Sequence, residues 1–190
     1  MPELPDLQVI SRNLDDMFCG KKLHAFTLKY TNCLEGEAEK VTATIVGHKL
    51  EKIYRDGKQL RFSFGKGRIM GIHLMLHGAL LPFHARNAYP HVLAEWIFDD
   101  EAGLALTDFQ KLARLTLNPP EADAPDALSS KVTAAFLEER MNGSRATIKK
   151  FLTNQQILRG IGNAYADEIL WDARISPFSI CDKVPHAAVS

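Results

Sequence analysis

At 190 residues the chain is long enough for one large domain or two small ones, and 46% hydrophobic with 24% charged residues is the make-up of a folded globular protein. Lys and Arg number 23, as do Asp and Glu, so the chain as a whole exerts no net pull on a polyanion. No apolar run approaches the roughly 20 residues of a membrane span, no leader pattern opens the chain, and Cys19, Cys33 and Cys181 form no C-x-x-C pair. This argues against secretion and a self-contained zinc finger, and for a reducing, intracellular setting.

The chain opens with a predicted helix, with Leu7, Ile10, Leu14 and Met17 at helical spacing and Cys19-Gly20 as its stop. Strands are then expected over 22–30, 41–54, 59–64, 69–76, 91–98 and 104–107, with another near 112–117. Phe64-Gly65-Lys66-Gly67 and the stretch 99–103 read as hairpin turns. Many short strands with tight turns favour an antiparallel sandwich or barrel. Segment 118–127 holds three of the nine prolines and no apolar period, so it reads as an interdomain linker. Helices follow over 130–141, 147–152 and 164–173, and 181–190 resembles a helix just starting, with Asp182 as cap and Pro185 in the first turn.

Three places carry candidate chemistry. The first is Met1-Pro2-Glu3-Leu4-Pro5-Asp6. Removal of Met1 exposes Pro2 as a secondary amine, able to attack an electrophilic carbon and form a cationic iminium that serves as an electron sink. Glu3 stands beside it as a proton shuttle, and a helix starting near Asp6 aims its positive end at the amine, favouring the free base. The plain alternative is a chain end stiffened by two prolines. The second is Leu158-Arg159-Gly160-Ile161-Gly162-Asn163, a glycine turn running into a helix, whose backbone N–H groups suit an anion and which Asn163 is placed to cap. Its alternative is a helical hairpin whose glycines only permit the turn. The third is Lys58 in Asp56-Gly57-Lys58, a turn lysine that either meets a phosphate, serves catalysis or is simply solvated.

Charge distribution sharpens the second place. Residues 140–163 hold five bases (Arg140, Arg145, Lys149, Lys150, Arg159) and no acid, a local excess that attracts phosphate whatever the total. A metal reading of His73 and His77 fails on a strand, where four residues span about 13 Å.

Together, Met-Pro-Glu-Leu-Pro at the start, Gly57-Lys58 before a strand, and the run from Ile161-Gly162-Asn163-Ala164-Tyr165 to Ser176-Pro177 resemble the formamidopyrimidine-DNA glycosylase / endonuclease VIII family over essentially the whole chain. The resemblance implies an α+β chain: an N-terminal antiparallel β-sandwich with a leading helix (1–117), a linker (118–127), and an all-α helix–two-turns–helix DNA-binding domain (128–190). It implies Pro2 as nucleophile at the sugar C1′, Glu3 as general acid/base and Lys58 as the lysine that contacts phosphate and supports base release. Lys149, Gly162 and Asn163 would hold the flanking phosphates, and Leu76, Gln110 and Leu112 would fill the gap left by a flipped nucleotide.

The chain departs from the family pattern in four ways. Asp6 replaces a glutamate, which would lengthen a carboxylate contact to base or sugar. Asp108-Phe109-Gln110-Lys111-Leu112-Ala113 loses the Arg and Phe that interrogate the opposite base, Lys111 keeping an adjacent phosphate contact. Leu76 replaces a Met wedge. The C-terminal zinc ribbon is missing, so no cofactor is expected in this chain, structural zinc belonging to that ribbon alone, and the natural protein is expected to be longer. The function implied is a bifunctional base-excision enzyme, glycosylase and abasic-site lyase, proceeding by β,δ-elimination with a lean to oxidised purines. Its partner is double-stranded DNA carrying an oxidised base or abasic site; it acts as a monomer, away from membranes, in the cytoplasm or nucleoid. The competing readings are a non-catalytic DNA-binding or damage-sensing relative, favoured by the altered 108–113 segment, and an N-terminal-proline tautomerase, which would lack the basic glycine turn.

Overall fold

A computed structural model describes residues 1–189; Ser190, the last residue of the expected C-terminal helix, lies outside them. Two units emerge, one of residues 1–55 and 59–120, the other of residues 56–58 and the chain from Glu121 on.

The first unit begins with α1 (Leu4–Phe18), which has Pro5 in its first turn and Glu3 as N-cap. Its buried stripe is Leu4, Leu7, Ser11, Leu14 and Phe18, repeating at three and four residues. Met17, expected on that stripe, is exposed and Phe18 takes its place. Asp15 accepts a hydrogen bond from the backbone of Ile53 at 2.6 Å, and Gln8 accepts from Arg55 at 3.2 Å, tying the helix to the sheet beside it.

Two sheets form the body of this unit. The first is antiparallel and joins, in spatial order, β1 (Leu23–Leu28), β7 (Val92–Phe98), β8 (Ala102–Thr107) and β6 (Ala79–His84). The second joins β2 (Leu34–Glu35), β9 (Arg114–Leu117), β5 (Ile69–His73), β4 (Gln59–Ser63) and β3 (Lys52–Asp56), with the short β2–β9 pair parallel. Trp96 of the first sheet lies 6.0 Å from Phe62 of the second, ring centre to centre, and 5.3 Å from Phe26, marking the apolar interior between them. On the other face of β4, buried Arg61 donates to the carbonyls of Pro119 (3.1 Å) and Pro120 (3.2 Å).

Two predicted strands need correction, and a further strand appears where none was expected. Residues 41–54 are not one strand: α2 (Ala38–Ile45) occupies the first part, burying Val41 and Ile45 one turn apart, and β3 begins only at Lys52. The strand expected over 69–76 stops at His73, because Leu74 to Gly78 close a turn with Gly78 N–H donating to the Leu74 carbonyl at 2.8 Å. The extended spacing assumed between His73 and His77 therefore does not apply. Finally, β6 is an additional strand at a sheet edge, where Pro82 costs no ladder bond.

The second unit is helical. Here α3 (Ala134–Met141) starts later than the 130 expected, because Thr133 caps it by accepting from Phe136 N–H at 3.1 Å. The short α4 (Ile148–Thr153) and α5 (Asn163–Asp172) are linked by two turns and share a core of Met141, Phe151, Leu152, Leu158, Ile161 and Leu170. After α5 the expected helix start is instead two single 3-10 turns, Cys181–Lys183 and His186–Ala188. Asp182 caps neither; its carboxylate accepts from Gly143 N–H at 2.8 Å.

Candidate active site and nucleic-acid interface

In the first unit, the chain end and two loops hold the predicted residues. Pro2 is half-buried and Glu3 is only 5% exposed. Glu3 N–H donates to the Asp6 carboxylate at 3.0 Å while the Glu3 side chain accepts from the backbone of Asp6, a reciprocal capping box. The shorter Asp6 side chain, expected to reach outward, is thus engaged in fixing Glu3, and α1 begins at Leu4, directly behind Pro2 and Glu3.

The two loops are 74–78 and 108–113. In the first, Met75 takes a left-handed conformation (φ 54) and Leu76 is 52% exposed. Only glycine closes this turn, since a Cβ on Gly78 would stand 2.3 Å from the Leu74 carbonyl oxygen. In the second, Asp108 is 2% exposed and its carboxylate accepts from three backbone N–H groups, Gln110 (2.9 Å), Leu112 (2.8 Å) and Ala113 (2.9 Å). From the other side Arg114 donates to the carbonyls of Lys111, Leu112 and Ala113. The loop is so constrained that Lys111 is held left-handed (φ 57), its ammonium 4.9 Å above the Tyr30 ring. Gln110 is exposed and Leu112 half-buried. The loops meet through His77 and Phe109, whose ring centres are 4.7 Å apart. Leu76, Gln110 and Leu112 therefore lie on two adjoining, internally braced loops.

The second unit holds the remaining residues. Lys58 follows Gly57, whose N–H donates to Asp126 at 3.0 Å. Gly57 has φ +59, and a Cβ there would lie 3.3 Å from Cβ of Arg159. Arg159 ion-pairs with Asp56 at 2.5 Å and donates to the Ala124 carbonyl at 2.7 Å. This arginine, expected among the phosphate-attracting bases, is instead a structural brace, because Asp56, outside 140–163, folds back onto it. Lys149 likewise pairs with Asp167 of α5 at 2.7 Å. Gly162 is the N-cap of α5 and Asn163 its first residue, exposed, so Asn163 does not cap the helix as expected. The turn ahead of α5 is organised by Gln155, which accepts from Gly160 N–H at 3.0 Å and donates to the Ile161 carbonyl at 2.8 Å. Gln155 carries no signal in the sequence, and His77 is weighed there only as a metal ligand, since a lone amide or imidazole in a turn acquires meaning only through its partners.

Among the described residues no three His, Cys, Asp or Glu side chains gather as a metal site. No helix among them is long and apolar enough to cross a membrane.

The family model for the formamidopyrimidine-DNA glycosylase N-terminal domain matches residues 1–115, and that for the formamidopyrimidine-DNA glycosylase H2TH domain matches 124–189. A formamidopyrimidine-DNA glycosylase from Chloroflexus aggregans is 31% identical over 94% of this chain and 68% of its own length. One from Lactobacillus johnsonii is 26% identical over 97% of this chain and 71% of its own length. Among solved structures, the Lactococcus lactis enzyme bound non-covalently to abasic-site DNA superposes with a TM-score of 0.91 at 22% identity, covering 99% of this chain and 76% of that one. The two family models and the relatives agree: the chain belongs to the formamidopyrimidine-DNA glycosylase family.

Proposed function

We propose that the protein is a bifunctional DNA glycosylase and abasic-site lyase. The observation that carries this reading is the start of α1, where Glu3 is buried and fixed by Asp6 immediately beside Pro2. With Met1 removed, the Pro2 amine attacks C1′ of the damaged nucleotide and displaces the base. The opened sugar is then held as an iminium whose positive charge acidifies C2′–H. Loss of that proton expels the 3′ phosphate by β-elimination, and a second elimination expels the 5′ phosphate. Glu3 moves the protons, and the backbone dipoles of α1 favour the free amine over the ammonium.

Residues 1–117 form the catalytic portion and 128–190 the DNA-binding portion in this proposal, joined by 118–127. Lys58, Lys149, Gly162, Asn163 and Lys111 meet phosphates of double-stranded DNA bearing an oxidised base, purines favoured, or an abasic site. Leu76, Gln110 and Leu112 fill the vacated stack. The Lys149–Asp167 pair does not oppose this: an exposed pair is worth only about 0–1 kcal/mol, so a phosphate can take its place. The protein acts as a monomer inside the cell, and no step requires a cofactor. The loss of the interrogating Arg and Phe at Gln110 and Leu112 favours a second reading, a damage-binding relative without catalysis.

Borohydride trapping separates the two. A duplex with one abasic site is incubated with the protein and reductant, beside Pro2→Gly, after mass measurement shows Met1 absent. A covalent band that disappears in the variant supports the enzyme. Tight binding without a band supports the non-catalytic relative.

A further inference from the structure

Phe109 is an apolar ring left 56% exposed on a loop that is otherwise tightly held. It stands at 43° to His77, ring centres 4.7 Å apart, so two aromatic groups form one small platform at the junction of the 74–78 and 108–113 loops. His77 directly follows Leu76, itself 52% exposed. The platform is preorganised, because Asp108 and Arg114 brace the 109–113 backbone with six hydrogen bonds between them. Ordering costs are thus met before any ligand arrives.

We infer that Phe109 and His77 form a stacking site for the unpaired base opposite the processed nucleotide. This rests on the proposed function. When a nucleotide leaves the duplex, a side chain that fills its place leaves the former partner base without a pairing mate. The groups flanking the wedge then meet that base, and a braced, half-exposed aromatic ring offers it a π face. Base–aromatic stacking tolerates any base but grows with ring area, so a purine is held more firmly than a pyrimidine. The chain thereby becomes selective for the opposite base without an arginine to read its edge.

The test measures binding of the full chain to duplexes carrying a reduced abasic site opposite adenine, cytosine, or a second reduced abasic site. The wild-type protein is expected to rank them in that order, with roughly a tenfold span between adenine and no base. Phe109→Ala and Phe109→Leu collapse the span, the latter showing that the ring rather than bulk is needed, and His77→Ala narrows it. A flat wild-type ranking, a ranking that survives Phe109→Ala, or an equal loss on all three duplexes overturns the inference; the last makes Phe109 only a brace of its loop. Trapping by the wild-type protein on unreduced abasic duplexes reports on catalysis separately. Trapping with a flat ranking defeats the stacking site alone; a ranking without trapping defeats the lyase reading and leaves the stacking site standing.

Discussion

Asp108 is the pivot of the 108–113 loop, and its replacement allows a graded test. One carboxylate oxygen accepts from Leu112 and Ala113, the other from Gln110. Hydrogen bonds to a charged acceptor contribute about 1.5–3 kcal/mol each. In Asp108→Asn, the amide oxygen keeps the Leu112 and Ala113 bonds only if its NH2 faces the Gln110 N–H, donor against donor. The expected loss is about 2 kcal/mol. In Asp108→Ala all three bonds go, and although water can reach the Gln110 amide, buried Ala113 N–H is left without an acceptor; the loss rises to about 4 kcal/mol. Urea unfolding of the first unit followed by Trp96 fluorescence gives the order, and amide exchange at Gln110, Leu112 and Ala113 gives the location. Stability of Asp108→Ala within about 0.5 kcal/mol of wild type, or unaltered exchange at those three amides, would refute the idea that the carboxylate holds this loop.

Further expectations concern the second unit and the thiols. Lys149→Ala is expected to lower the slope of log affinity for DNA against log salt by about 0.9, the share of one phosphate, in a fluorescence titration; an unchanged slope removes Lys149 from the interface. Asp167→Asn, which releases that lysine, is expected to tighten binding by less than tenfold at low salt. Gly57→Ala meets both a left-handed backbone and Cβ of Arg159 at 3.3 Å, and is expected to cost about 1–2 kcal/mol in thermal unfolding. Burial pushes the Cys33 thiol from 9.0 up to about 11 and raises Cys181 also, whereas Cys19 is exposed. A thiol reagent at pH 8 is therefore expected to label Cys19 first, mass spectrometry giving the order. Because the Cys33 value is raised on folding, its contribution to stability is complete below pH 9 and lost as pH climbs towards 11.

The parts of this architecture legible in the sequence are those where local pattern and tertiary environment ask for the same thing. Leu7 and Leu14 mark α1, and the glycine turn at Gly65 and Gly67 separates β4 from β5. Residues 41–45 misled because Val41, Thr42, Thr44 and Ile45 are β-branched. Thr42 and Thr44 sit in a helix by bonding back to the carbonyls of Ala38 (2.9 Å) and Lys40 (2.6 Å), a solution invisible to propensity. At the candidate site, residue identities could be read, but their electrostatic partners could not. Arg159 and Lys149 count as free charge in the sequence, yet Asp56 lies more than 100 positions before Arg159, and Asp167 reaches Lys149 only once α4 and α5 have packed. Counting charge along a chain assumes that neighbours in sequence are neighbours in space, which fails where distant strands and turns converge.

The strand order also sets a timetable for synthesis. Leu23 pairs with Phe98, and Leu34 with Leu115, so neither sheet can close until most of the first unit has left the ribosome. At about 5–20 residues per second, the apolar stripe of α1 is available to other chains for several seconds before Trp96 and Leu115 arrive to complete its core. A nascent chain of this protein is therefore a natural client for chaperones over that interval. Truncations ending between residues 60 and 110 are expected to aggregate rather than fold into smaller versions of the first unit.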